Sequence, residues 1–153
     1  MVVVVGRVRG DLAAAIDDYE RRAARYWKLE VVEVGQGAGS RKADPQRVMA
    51  AEAERIGGRI PDSMELVALS RTGKGMSSRG LARYLREHAV RSSPGVAFVI
   101  GGAFGLDDAV LARARRTLSL SSLTFPHDVA RLVLAEQLYR AGTIIRGEPY
   151  HKG

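Results

Sequence analysis

The sequence predicts an α/β fold, a mostly parallel sheet with helices on both faces. Two observations carry this. Five short apolar or β-branched runs alternate with segments of helical period from one end of the chain to the other. No internal repeat, low-complexity tract or linker interrupts the alternation, so residues 1–153 are expected to form a single domain. A chain of 153 residues is long enough for a core of its own.

The first run, "VVVVG" (Val2 to Gly6), predicts a buried strand closed by glycine. A helix follows, with Asp11 as its candidate cap and Leu12, Ile16, Tyr19, Ala23 and Tyr26 on one face. "KLEVVEVG" (Lys28 to Gly35) is the second strand and the glycine-rich "QGAGSRKADP" a loop. Asp44 and Pro45 supply the cap and first position of a helix that runs to Gly57–Gly58. "MELVAL" (Met64 to Leu69) is the third strand and "SRTGKGMSS" a loop. Ser77 or Ser78 caps the next helix, which carries Leu81, Leu85 and Ala89. "GVAFVI" (Gly95 to Ile100) is the fourth strand; it empties into "GGAFGLDD" before a helix from Asp107 to Ala114. The fifth strand begins "RTLSLSSLTFPH" at Arg116 and loses its alternation at the paired serines, as a bulged edge strand does. The last helix spans Pro126 to Ala141, with "GTIIRGEPYHKG" as a tail. Val129, Leu132, Val133, Leu134 and Leu138 surround most of that helix, which predicts burial on several sides. It lies deep in the fold or packs on a second copy; a homodimer is expected.

Lys and Arg number 24 against 17 acids, and the only lysines are Lys28, Lys42, Lys74 and Lys152. An arginine-rich balance suits bidentate contacts to phosphate, hence a nucleic-acid or ribosome partner. A GC-rich coding bias produces the same composition. The absence of cysteine excludes disulfides, thiolate metal sites and cysteine nucleophiles. Three histidines without HxxxH-type spacing predict no metal site. No apolar run approaches the roughly eighteen residues of a membrane span. "MVVVVGRVRG" lacks the basic n-region of a signal peptide, so a cytoplasmic location is expected.

Parallel sheets bind ligands beyond the carboxyl ends of their strands, which directs attention to the segments after Leu69, Ile100 and Leu120. "GGAFG" (Gly101 to Gly105) lets backbone approach a ligand, and equally serves a tight strand-to-helix turn. It is not GxGxxG, and "GKG" fails the phosphate-loop pattern because Gly75 stands where Ser or Thr is needed. Asp107–Asp108 fit a helix start better than a catalytic pair. His127 is expected to be structural or pocket-lining, and His88 to lie at the surface. His151 stands in a polar tail beside Tyr150 and Lys152, a group able to stack on a nucleobase and hydrogen-bond to it.

"FVIGGAFGL", "LSLSSLTFPHDVARLVLAEQLYRA" and the terminal "RGEPYHKG" together resemble the RlmH family, ribosomal RNA large subunit methyltransferase H, of the SPOUT class. The likeness spans essentially the whole chain. It departs at Ala103, where the family commonly has proline. The resemblance implies a C-terminal trefoil knot, which residue patterns alone argue against because knots are so rare. It implies a homodimer with sites at the interface. The implied reaction moves a methyl group from S-adenosyl-L-methionine to N3 of a pseudouridine in 23S rRNA, in the intersubunit-bridge helix of the assembled ribosome. Carried over by motif, the cofactor residues are Leu69, Gly101, Gly102, Gly105, Leu120, Ser121, Ser122, Leu123, Thr124 and Phe125. Tyr150 and His151 are candidate catalytic residues that position or deprotonate the base. Arg140, Arg146 and Lys152 are candidate RNA contacts. Two other readings use the same residues: a non-catalytic ribosome-associated binder, and a nucleotide-binding α/β enzyme built on Gly101 to Gly105.

Overall fold

The computed structural model describes residues 1–37, 44–91 and 93–151. Its elements are β1 (Val2–Val5), α1 (Leu12–Ala23), β2 (Val31–Val34), α2 (Pro45–Gly57), β3 (Glu65–Gly75), α3 (Ser78–Val90), β4 (Val96–Ile100), α4 (Asp108–Arg113), β5 (Arg116–Ser119) and α5 (His127–Arg146). The strands form one five-stranded sheet in the order β2-β1-β4-β3-β5. Every pairing is parallel.

Strand alternation sorts the core into two halves. Val2, Val4, Val67, Phe98 and Ile100 face α1, α3 and α5, where Ala23, Leu81 and Leu134 meet them. Val3, Val5 and Val99 face α2 and α4, meeting Ile56 and Val110. Asp44, Ser77 and Asp107 cap α2, α3 and α4 by accepting from the N–H groups of Gln46, Gly80 and Ala109.

The structure corrects several expectations. Asp11 stands at the α1 cap but makes no side-chain capping bond. β2 is shorter than Lys28 to Gly35. The predicted loop before Asp44 falls largely on residues 38–43, outside the described residues. β3 does not end at Leu69. It bows out, then regains parallel pairing with β5 at Lys74 with Leu118 and Gly75 with Ser119. Its returning residues are largely exposed, so no apolar pattern marked them as strand. α5 runs on to Arg146, past the predicted stop at Ala141, and ends at Gly147 in a left-handed conformation with φ 67°. His88 is half-buried, with Nε2 3.4 Å from Glu65 Oε2 and Nδ1 3.1 Å from Ser93 Oγ.

Candidate functional site

The carboxyl ends of β3, β4 and β5 frame a cavity of about 840 Å³. Three segments leaving the sheet wall it: Leu69 to Thr72, Ile100 to Leu106, and the run from Leu120 to His127 with Ser122 left out. Leu111 from α4, Leu118 from β5 and Ala130 from α5 complete the lining.

The glycines of this wall are held by space at Gly101 and by conformation at Gly105. Gly105 N–H donates to the Gly102 carbonyl at 3.1 Å, folding the loop on itself. A Cβ at Gly101 would stand 2.5 Å from the Gly105 oxygen, and Gly105 itself has φ +89°. Amides and carbonyls therefore meet whatever enters.

The third wall shows why the fifth strand loses its register. β5 ends at Ser119, whose hydroxyl donates to the Ser121 carbonyl at 2.8 Å. The Leu123 N–H then donates to Ser121 Oγ at 3.0 Å. Local hydroxyl bonds replace sheet pairing, and the chain turns away. Leu123 is 69% exposed and Phe104 50%, so the rim carries uncovered apolar groups. Ser122 is exposed and does not face the cavity.

Leu69, Gly101, Gly102, Gly105, Leu120, Ser121, Leu123, Thr124 and Phe125 thus gather at one cavity. His127, expected to be structural or pocket-lining, lines it too. The sequence reading missed Glu52. This α2 residue is 3% exposed, and its Oε1 accepts from the Gly37 N–H at 2.9 Å. Its Oε2 is buried without a hydrogen-bond partner, and a Cβ on Gly102 would stand 2.8 Å from it. The carboxylate therefore props the glycine wall from behind. The available signal was its place between Val48 and Ile56, four residues from each, on the buried face of α2.

The tail is not brought to this cavity within one chain, since neither Tyr150 nor His151 lines it. Tyr150 folds back on α1 and α5: its hydroxyl donates to Glu136 Oε1 at 3.1 Å and lies 3.4 Å from the Tyr19 hydroxyl. Burial first, then these hydrogen bonds, push its pKa above the ordinary tyrosine value. His151 Nδ1 is buried without a partner. Arg140 grips Glu136 through Nε at 2.9 Å and Nη2 at 2.6 Å, and Arg146 stacks 4.9 Å from the Tyr26 ring centre. Lys152 lies outside the described residues. Among the described residues no group of side chains is arranged to hold a metal, and no helix is long and apolar enough to cross a membrane.

A family described as "Predicted SPOUT methyltransferase" matches residues 1–151. The protein named ribosomal RNA large subunit methyltransferase H of Gemmatimonas aurantiaca is 54% identical over 152 residues, covering 99% of this chain and 97% of that protein. Its namesake in Clostridioides difficile is 40% identical, covering 99% of this chain and 98% of that protein. A solved structure of a probable methylase family protein from Haemophilus influenzae shares the fold, with a TM-score of 0.53 at 16% identity. That likeness covers 99% of this chain and 70% of the other. The chain belongs to the SPOUT methyltransferase family, among proteins named ribosomal RNA large subunit methyltransferase H.

Proposed function

We propose that this single-domain chain methylates N3 of a pseudouridine in 23S rRNA, in the intersubunit-bridge helix of the assembled ribosome, using S-adenosyl-L-methionine in the cytoplasm. The carrying observation is the cavity at the ends of β3, β4 and β5 in a chain 54% identical to a relative named for large-subunit rRNA. The cavity fits the cofactor. Small-molecule sites run from roughly 300 to 1,000 Å³. Leu69, Leu118 and Leu120 offer apolar surface to a flat neutral adenine, and the glycine and serine walls offer backbone donors and acceptors. When bound, the cofactor supplies an electrophilic methyl group on a sulfonium.

The chain then has two tasks. It aligns N3 with the methyl carbon in a closed site, where proximity contributes most. It also accepts the N3 proton. Tyr150 is suited to donate rather than accept, because its raised pKa keeps the hydroxyl neutral. His151 is left as the proton acceptor. Because the tail lies apart from its own cavity, the proposal includes a homodimer in which one copy's tail completes the other's site. Val129, Leu132 and Val133 are only half-buried on α5, consistent with an apolar face that a second copy covers. The proposal also includes the C-terminal knot of the family. Arg140, Arg146 and Lys152 contact RNA, and Arg140, paired with Glu136, also helps hold the tail.

Tritiated methyl transfer to ribosomes with and without the pseudouridine tests the reading. Labelling is expected only with pseudouridine present; equal labelling of both would remove the substrate claim. Calorimetry that found no S-adenosylmethionine binding would remove the cofactor.

A further inference from the structure

The excess positive charge is concentrated in one place. Between Ser70 and Arg91 stand Arg71, Lys74, Arg79, Arg83, Arg86 and Arg91 against a single acid, Glu87. This one segment holds most of the chain's net charge of +7. All six cations are exposed. Arg79, Arg83 and Arg86 are spaced by four and three, which sets them along one outer face of α3, and Arg91 follows just past its end. Among the described residues, no acid pairs with Arg71, Lys74, Arg83, Arg86 or Arg91.

The track has a starting point. Arg71 lies on the cavity wall, where β3 bows out. α3 starts directly after β3 and carries the line away from the cavity for about 20 Å, at roughly 1.5 Å per residue. Near its far end Arg83, Arg86, Glu87, Val90 and Arg91 border a hollow of about 370 Å³, three cations against one acid. The guanidinium groups of Arg83, Arg86 and Arg91, exposed and without an acid partner among the described residues, suit a repeating anion. A phosphodiester chain presents one, and arginine meets each phosphate with a fork of donors.

We infer that this track, from Arg71 and Lys74 at the cavity to Arg83, Arg86 and Arg91 along α3, takes the sugar-phosphate backbone of the RNA flanking the target base. The inference rests on the RNA substrate proposed above. The surface holds phosphate and carries no sequence information; the cavity and tail select the base.

The test is binding, read apart from methylation. A labelled RNA hairpin and intact ribosomes are titrated with the parent, with Arg83→Glu/Arg86→Glu, and with Arg25→Glu beyond the end of α1 as a control of equal sign. The double variant should lose on the order of tenfold or more in affinity for both, and its salt slope should fall by about two, one per lost phosphate contact. Arg25→Glu should lose little. Parent-like affinity and slope in the double variant would overturn the inference. So would a loss of binding free energy in Arg25→Glu about half that of the double variant, in proportion to the charge each changes, which would mean that only net charge matters. Loss on ribosomes with unchanged hairpin binding would point to a protein contact and overturn it too. A parent that binds RNA through this face but transfers no methyl group would sink the methyltransferase reading alone.

Discussion

α5 is flanked by two helices of nearly equal length and opposite electrostatic habit. On one side α1 closes its charges within the molecule. Asp17 and Asp18 hold Arg21 and Arg22, and Glu20 takes Nε and Nη2 of Arg131 at 2.7 and 3.1 Å. Tyr19, Tyr26, Tyr139 and Tyr150 pack with tilted rings over the same seam. On the other side α3 attaches through Leu81, Ala82 and Leu85 and two polar anchors. Tyr84 donates to Glu65 at 2.6 Å, and Ser78 donates to Gln137 at 2.6 Å. Its arginines point outward. Arginine in one small protein thus takes two settings: closed pairs fix the α1 layer, and Arg83 and Arg86 stand open on the face that we infer takes phosphate.

The largest effect should fall on the closed flank. Arg131 is 7% exposed and also donates to Glu33 Oε1 at 2.7 Å, tying α5 to α1 and β2. Arg131→Ala strands the Glu20 carboxylate and leaves Glu33 with Arg7 alone, and urea unfolding should show a loss of roughly 3 kcal/mol. Lysine at that position cannot fork to both acids and should restore only part. Arg83→Ala on the open flank should stay within about 0.5 kcal/mol of the parent. Similar losses at both positions would erase the contrast.

Next comes Glu52→Ala, which strips the prop from the glycine wall and leaves the Gly37 N–H unpaired. The expected cost is about 1–3 kcal/mol. Cofactor affinity measured by calorimetry should fall with it, while hairpin binding through α3 stays unchanged. Tyr150→Phe is a smaller step, since it removes hydroxyl bonds worth about 1 kcal/mol. If Tyr150 positions the base, kcat on ribosomes should fall. A rise in KM at constant kcat would mean that the tail only tightens RNA binding.

What the sequence made visible follows from where each pattern is enforced. β1 and β4 were plain because both of their faces are covered, leaving unbroken apolar runs. Asp44, Ser77 and Asp107 announced their helices because a cap is a local device. The serine break at the end of β5 was visible for the same reason. What escaped depends on distant partners. Gly142 resembled a stop signal, yet it lies mid-helix because a Cβ there would collide with the Tyr26 ring. The return of β3 is polar and is strand only because β5 lies beside it. Glu52 is a lone acid whose importance comes from two glycines far away in sequence.

The finest test compares a seam tyrosine on each flank. A hydrogen bond to Glu148, followed by burial, pushes Tyr26 on the α1 side up to about 12. Tyr84 on α3 is also raised, by burial first and then by its bond to Glu65. A raised tyrosine favours the neutral hydroxyl in the folded state. Its contribution is therefore complete below the unfolded value of 10 and is lost as pH climbs toward the folded value, near 12 for Tyr26. Thermal unfolding of the parent should weaken across that window. Subtracting Tyr26→Phe from the parent isolates one flank, and subtracting Tyr84→Phe isolates the other. Each difference should be flat below pH 10 and shrink above it. The Tyr84 difference should persist to higher pH, because burial leads its causes and shields it most. If both differences collapsed together, the seams would be equally open to solvent, and the two flanks would differ in their arginines alone.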